Sequence, residues 1–177
     1  MKTRSQKCVL LDRDGVLNVE KGDYVYQDSE FEISSGVPDG LKKLKAAGFH
    51  LVVVTNQGGI SKGLYSKNEV LALHKRLQAS SDNSIDYLFY APLHKDFSKS
   101  LFSKPGSLMM ERGLALTNAL PATSWLIGDA ERDLIAGKKA DVKTILIPTL
   151  KEKESTYADF VCPDFSQAVE IILNFNG

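Results

Sequence analysis

The sequence predicts an α/β fold, a doubly wound and mostly parallel sheet with helices on both faces. Three observations predict it. Short apolar runs alternate with helix-period stretches along the chain, the order expected of βαβ units. Several of these runs are nearly continuous in apolar residues, as strands covered on both faces must be. Polar residues follow directly on them, at Asp12, Thr55 and Asp129, as they would where the carboxyl ends of parallel strands line one crevice.

The elements follow in order. Residues 7–12 (KCVLLD) read as the first strand, and residues 18–36 as a long irregular stretch. Residues 38–47 (PDGLKKLKAA) place Leu41 and Leu44 on one helical face, and Gly48 is a natural stop. Residues 49–55 (FHLVVVT) form the next strand. Ser66, with Glu69 three positions on, is a capping box opening a helix over 67–79 whose inner face is Val70, Leu73, His74 and Leu77. A strand over 86–91 (DYLFYA) leads into a second irregular stretch, 91–103. A helix is predicted over 105–119, with Pro105 at the first helical position. A strand over 124–129 (SWLIGD), a helix over 130–139, a strand over 143–147 (KTILI) and a helix over 166–174 complete the chain. With no repeat, linker or low-complexity tract, residues 1–177 read as one domain, long enough to bury about two-thirds of its unfolded surface.

Composition narrows the function. Lys plus Arg equals Asp plus Glu, 22 each, so no basic surface points to nucleic acid. The N-terminal MKTRSQK has no apolar leader core, and no run reaches membrane-spanning length. Cys8 and Cys162 are two thiols and no disulfide framework, which suits a reducing compartment. The reading is a cytoplasmic protein with no membrane or nucleic-acid partner, acting as a monomer.

The chemistry starts at DRDG. Asp12 and Asp14, two apart on an extended chain, point the same way, and Gly15 allows a sharp turn. Alone this is equally a polar turn closing a strand. A calcium loop is excluded, since the sixth and twelfth positions from Asp12 are Leu17 and Asp23. Thr55, Asn56 and Gln57, with Gly58 and Gly59, supply phosphate-type donors. Lys104 precedes a predicted helix N-terminus, a place favourable to anions. Asp129 and Asp133 bracket the end of one strand and the start of the next helix. Each has an ordinary structural reading. Together they make a site of carboxylates, a lysine and phosphate donors, in which a hard cation such as magnesium offsets the carboxylate repulsion.

DRDG at 12–15, VVVTN at 52–56, Lys104 in SKPG and GDAERD at 128–133 resemble the four ordered motifs of the haloacid dehalogenase-like phosphatases, whose fold is Rossmann-like. DRDGVLN, GDYV and the run from FEISSG to ISKG are similar to the branch of the D-glycero-D-manno-heptose bisphosphate phosphatases and the related histidinol-phosphatase domains. That resemblance implies no separate cap domain and a magnesium-dependent phosphatase acting on a small phosphorylated sugar, first of all on the C7 phosphate of a heptose 1,7-bisphosphate. Histidinol phosphate or another small phosphomonoester is the alternative substrate; an inactive phosphate-binding module is the alternative of another class. The implied roles are Asp12 as nucleophile and Asp14 as general acid and base, with Asp12, Asp14 (through its backbone carbonyl) and Asp129 as metal ligands and Asp133 in support. Thr55, Asn56, Gln57, Lys104, Arg13 and Gly15 are the implied phosphate-binding set.

One stretch departs from the branch. Where many members carry a zinc loop of one histidine and three cysteines, this chain has APLHKDFSKSLFSK, residues 91–104. His94 without thiolates is no zinc site, so no structural zinc is expected. The loop is then expected to be ordered by packing of Leu93, Phe97, Leu101 and Phe102. Ser103 stands where the branch has an arginine. A second phosphate would need another cation, for which Lys62, Arg76, Lys95 and Lys99 are candidates, and Tyr24 and Tyr26 are candidate pocket walls.

Overall fold

In the computed structural model, residues 6–150 and 153–175 are described. Six strands form one parallel sheet in the order β3-β2-β1-β4-β5-β6. They are β1 (Lys7–Leu11), β2 (Phe49–Asn56), β3 (Tyr87–Ala91), β4 (Trp125–Gly128), β5 (Lys143–Leu146) and β6 (Phe160–Val161). The helices are α1 (Val37–Ala46), α2 (Lys67–Ser80), α3 (Leu108–Thr117), α4 (Glu131–Lys139) and α5 (Phe165–Phe175).

The continuous apolar runs have the reason expected of them. Side chains alternate across a strand, so a strand buried on both faces has no polar position to give. Val9, Leu11, Leu51, Val53, Trp125 and Ile127 pack on one side with α1, α2 and α5. Cys8, Leu10, Val52, Val54 and Leu126 pack on the other with α3 and α4. Cys8 and Cys162 are therefore buried, free thiols on opposite faces of the sheet. Among the described residues, no helix is long and apolar enough to cross a membrane. Residues 1–5 of the N-terminal run lie outside the described residues.

The capping box holds: Ser66 N donates to Glu69 Oε2 (2.8 Å) and Asn68 N to Ser66 Oγ (3.1 Å). Two expectations need correction. Pro105 is not the first residue of a helix. The Lys104–Pro105 bond is cis, Gly106 N turns back to Ser103 O (2.8 Å), and α3 starts at Leu108. β6 was unforeseen, because two residues carry no readable period. The stretch after β1 folds back on itself through an Asn18–Ile33 bridge and one 3-10 turn, Asp28–Glu30, burying Val25 and Phe31.

Loop 91–104 is ordered differently from expectation. Phe102 does pack, edge-on against Phe89 (6.4 Å), but Leu93, Phe97 and Leu101 are 42%, 64% and 78% exposed. Hydrogen bonds around His94 hold the loop instead. Its N–H donates to Ser61 Oγ (2.8 Å), its carbonyl accepts from Phe97 N (3.0 Å), and its ring packs on Gly58. Small polar residues there replace apolar burial as the ordering force.

Candidate active site

Parallel strands all deliver their next residue to the same rim. Asp12 follows β1, and its N–H still pairs with Ile127 O (3.0 Å). Asp129 follows β4. β1 lies between β2 and β4, so chain order reverses at the β1–β4 junction, where an open α/β sheet leaves a crevice. Asp133 arrives from the first turn of α4, where its Oδ2 accepts from Ala130 N (3.1 Å) and caps the helix. Oxygens of Asp12, Asp129 and Asp133 all lie within 4.8 Å of one another, and all three residues are buried.

Such proximity is repulsive, and Lys104 supplies part of the compensation. Its buried Nζ sits 2.8 Å from Asp12 Oδ1 and 2.7 Å from Asp133 Oδ1, and donates to Val54 O (2.9 Å). Asn56, the last residue of β2, holds Lys104 in place: Nδ2 donates to Lys104 O (3.0 Å) and Oδ1 accepts from Lys104 N (2.9 Å). The Asn56 carboxamide is thus engaged with the lysine backbone.

The electrostatic result is uneven. Burial, then Asp12 and Asp133, push the Asp129 carboxyl up to about 8. Burial and Asp133 push Asp12 up to about 6 against the pull of Lys104. Burial acts to raise Asp133 too, but Lys104 and Arg132 outweigh it and hold the carboxyl below its ordinary range. Burial opposes charge on Lys104, but Asp12 and Asp133 keep it protonated. Arg132 was not foreseen. It lies on the first turn of α4, half-exposed, with Nε 3.9 Å from Asp133 Oδ1. Its position beside the rim follows only from where α4 starts.

The donor set fits a hard divalent cation. Asp129 Oδ1 is buried with no hydrogen-bond partner among the described residues, and its neighbours are carboxylate oxygens. Gly15, at φ +86°, leaves room for Asp129, since a Cβ there would stand 2.3 Å from Asp129 Oδ2. A cation needs ionised ligands, so binding to this cluster should release a proton from Asp129. Apparent magnesium affinity is therefore expected to weaken as pH falls below about 8, by up to about tenfold per unit, with proton release seen by calorimetry in buffers of different ionisation enthalpy. An affinity flat from pH 8 to 6 would contradict this.

Asp14 lies outside that cluster, half-buried, with its carboxylate held from behind. Arg13 donates through Nη2 to Oδ1 (2.9 Å) and Oδ2 (3.0 Å) and through Nε to Oδ1 (3.2 Å). Arg13 is itself buried, with Nη2 on Val25 O (2.9 Å). Gln57 Nε2 donates to Asp14 Oδ2 (3.0 Å) and to Thr55 Oγ1 (2.9 Å). Asp12, Asp14, Thr55, Gln57, Lys104, Asp129 and Asp133 therefore converge on one rim, with Arg13, Gly15 and Asn56 bracing them. Of the candidate cations for a second phosphate, Lys62 lies over the Tyr24 ring (5.5 Å) beside Tyr65. Arg76 is tied to Asp28 (3.0 Å) and stacked on Phe31.

The family described as "HAD-hyrolase-like" matches residues 101–168, the stretch that carries Lys104, Asp129 and Asp133 of this rim. The chain is 33% identical to the D-glycero-beta-D-manno-heptose-1,7-bisphosphate 7-phosphatase of Pasteurella multocida (strain Pm70), over 94% of this chain and 97% of the relative. It is 32% identical to the protein of that name in Escherichia coli (strain K12), over 97% and 90%. A crystal structure of D,D-heptose 1,7-bisphosphate phosphatase from B. bronchiseptica, complexed with magnesium and phosphate, matches with a TM-score of 0.85 at 25% identity, over 96% of this chain and 99% of that one. The chain belongs to the heptose bisphosphate phosphatase family of haloacid dehalogenase-like hydrolases.

Proposed function

We propose that this phosphoric monoester hydrolase removes the C7 phosphate from D-glycero-beta-D-manno-heptose 1,7-bisphosphate, with magnesium and through an aspartyl-phosphate on Asp12. The observation that carries the reading is the meeting of Asp12, Asp129, Asp133 and Lys104 on one buried rim, in a chain a third identical to phosphatases of that name.

The Asp12 carboxylate attacks phosphorus, and the bond from phosphorus to the sugar oxygen breaks. Asp14 donates its proton to that leaving oxygen, which no alkoxide could leave without. Water then attacks the same phosphorus, Asp14 takes back a proton, and the Asp12 carboxylate departs. Thr55 and Lys104 bind the transferring oxygens, with Gln57 and Asn56 holding those groups in position and Arg13 and Gly15 bracing Asp14 and Asp129. The Asp12 and Asp129 carboxylates and the Asp14 carbonyl, with Asp133 in support, would hold magnesium, which would supply charge neutralisation and orientation to the phosphate. Most of what phosphoryl transfer requires is this positioning and charge.

The enzyme works as a cytoplasmic monomer and a single domain over 1–177, without nucleic acid or membrane. Equal numbers of acidic and basic residues support that reading.

A panel of phosphoesters tests the substrate. Heptose 1,7-bisphosphate should exceed histidinol phosphate and sugar monophosphates in kcat/KM by about tenfold or more, the discrimination a second bound anion provides. A higher value for histidinol phosphate would overturn the assignment. Lys62→Glu should raise KM for the bisphosphate several-fold more than for a monophosphate; equal effects would remove Lys62 from substrate binding.

A further inference from the structure

A glutamine side chain is nearly symmetric in shape, and its oxygen and nitrogen exchange places with a half-turn of the amide. Gln57 therefore needs something to decide which atom faces Asp14. Its Nε2 uses both hydrogens inside the site, one on Asp14 Oδ2 (3.0 Å) and one on Thr55 Oγ1 (2.9 Å). Reversed, its Oε1 would face Asp14 Oδ2, oxygen against oxygen, and the Nε2 hydrogen bond would be lost. On the far side, the Tyr65 hydroxyl donates to Oε1 (2.7 Å). Because Thr55 Oγ1 accepts from Gln57, its own hydroxyl proton is free for a phosphate oxygen.

Tyr65 is itself fixed. Its ring is buried, stacked on Tyr26 (5.1 Å, 14° between planes) and tilted against Tyr24 (6.1 Å). It lies so close over Gly59 that a Cβ there would stand 2.2 Å from the ring. Burial pushes the phenol up to about 12, so it stays a donor.

We propose that Tyr65 is a positioning residue: its hydroxyl locks the Gln57 carboxamide, which in turn aims the Asp14 carboxyl at the leaving oxygen. Tyr65 touches no reacting atom and acts only through Gln57. The proposal rests on Asp14 being the general acid.

The test uses leaving groups. A sugar alkoxide needs a proton to depart and 4-nitrophenolate does not, and kcat/KM reports the step in which the leaving group departs. Tyr65→Phe keeps the stack and removes only the hydroxyl. It should lower kcat/KM for heptose 1,7-bisphosphate by about fivefold or more and for 4-nitrophenyl phosphate by less than about twofold. Gln57→Ala should show the same contrast more strongly. The double variant should be no worse than Gln57→Ala alone, the signature of residues acting in series. Equal losses on both substrates, or a full Tyr65→Phe loss in the Gln57→Ala background, would overturn the proposal. Asp14→Asn separates this from the underlying assignment. If that variant lacks the leaving-group contrast, the general-acid reading fails; if it has the contrast and Tyr65→Phe does not, only the Tyr65 role fails.

Discussion

Asp12→Asn is expected to abolish phosphate release, by about a thousandfold or more, while leaving the fold intact or firmer. An amide of the same shape keeps the packing at the end of β1 but has no anionic oxygen to attack phosphorus. The stability half of the expectation comes from the same cluster. In the metal-free protein, burial and Asp133 push Asp12 up to about 6, so its ionised form is a cost to the folded state. A carboxyl raised on folding favours the fold while protonated, and that contribution is lost as pH rises through the folded value. With Asp12 raised to about 6 and Asp129 to about 8, metal-free wild type should lose stability progressively as pH rises from about 4, the ordinary carboxylate range, to about 8. Asp12→Asn should lose less, because one of three buried carboxylates is gone. Melting in chelator across that range, beside an assay for released phosphate, checks both halves. Near wild-type turnover would refute the nucleophile. A steeper pH loss in the variant would refute the electrostatic account.

How much of this was legible in the sequence depends on how local each cause is. The strand cores and the rim aspartates were legible, because period and position within ten residues determine them. Gly15 was legible as a turn, but not as the space Asp129 fills, a contact between residues more than a hundred apart. Asn56 read as a phosphate donor because its backbone sits at the rim, while its carboxamide turns to Lys104, forty-eight residues on. Gln57 was read the same way, and nothing near it in sequence shows that Tyr65 faces its oxygen and Asp14 its nitrogen. The loop at 91–104 misled for a thermodynamic reason. Apolar residues signal burial only where a surface exists to cover them, and here Phe102 alone reaches one.

Lys104→Met is the other variant with a large expected effect, because the lysine serves structure and chemistry through the same atom. Among the described residues, its ammonium is the one cation within 3 Å of two buried carboxylates. Methionine approximates the lysine's length but leaves Asp12 and Asp133 with only the more distant Arg132 to offset their repulsion. Breaking a buried ion pair from one side costs about 3–5 kcal/mol, which in a chain of this size lowers Tm by about 10 °C. The sign of the pH dependence follows. Without Lys104, the largest of the pulls that hold Asp133 below its ordinary range is lost, and Asp12 rises further, so the deficit should be largest at alkaline pH and shrink as the carboxylates protonate. Magnesium should recover part of the stability, since a divalent cation offsets the same repulsion, but little of the activity. In the proposed mechanism the lysine also meets the phosphoryl oxygens, where removing one aimed donor costs about a hundred- to a thousandfold in kcat. Lys104→Arg is the control that separates charge from fit. It restores a cation but must place a planar fork where Val54 O, Asp12 and Asp133 surround a point donor, so it should recover some stability in chelator and almost no turnover. A Lys104→Met protein that melts with wild type in chelator at pH 9 would mean the three carboxylates are already neutral there. The account of this rim as a charge cluster waiting for a metal would then fail.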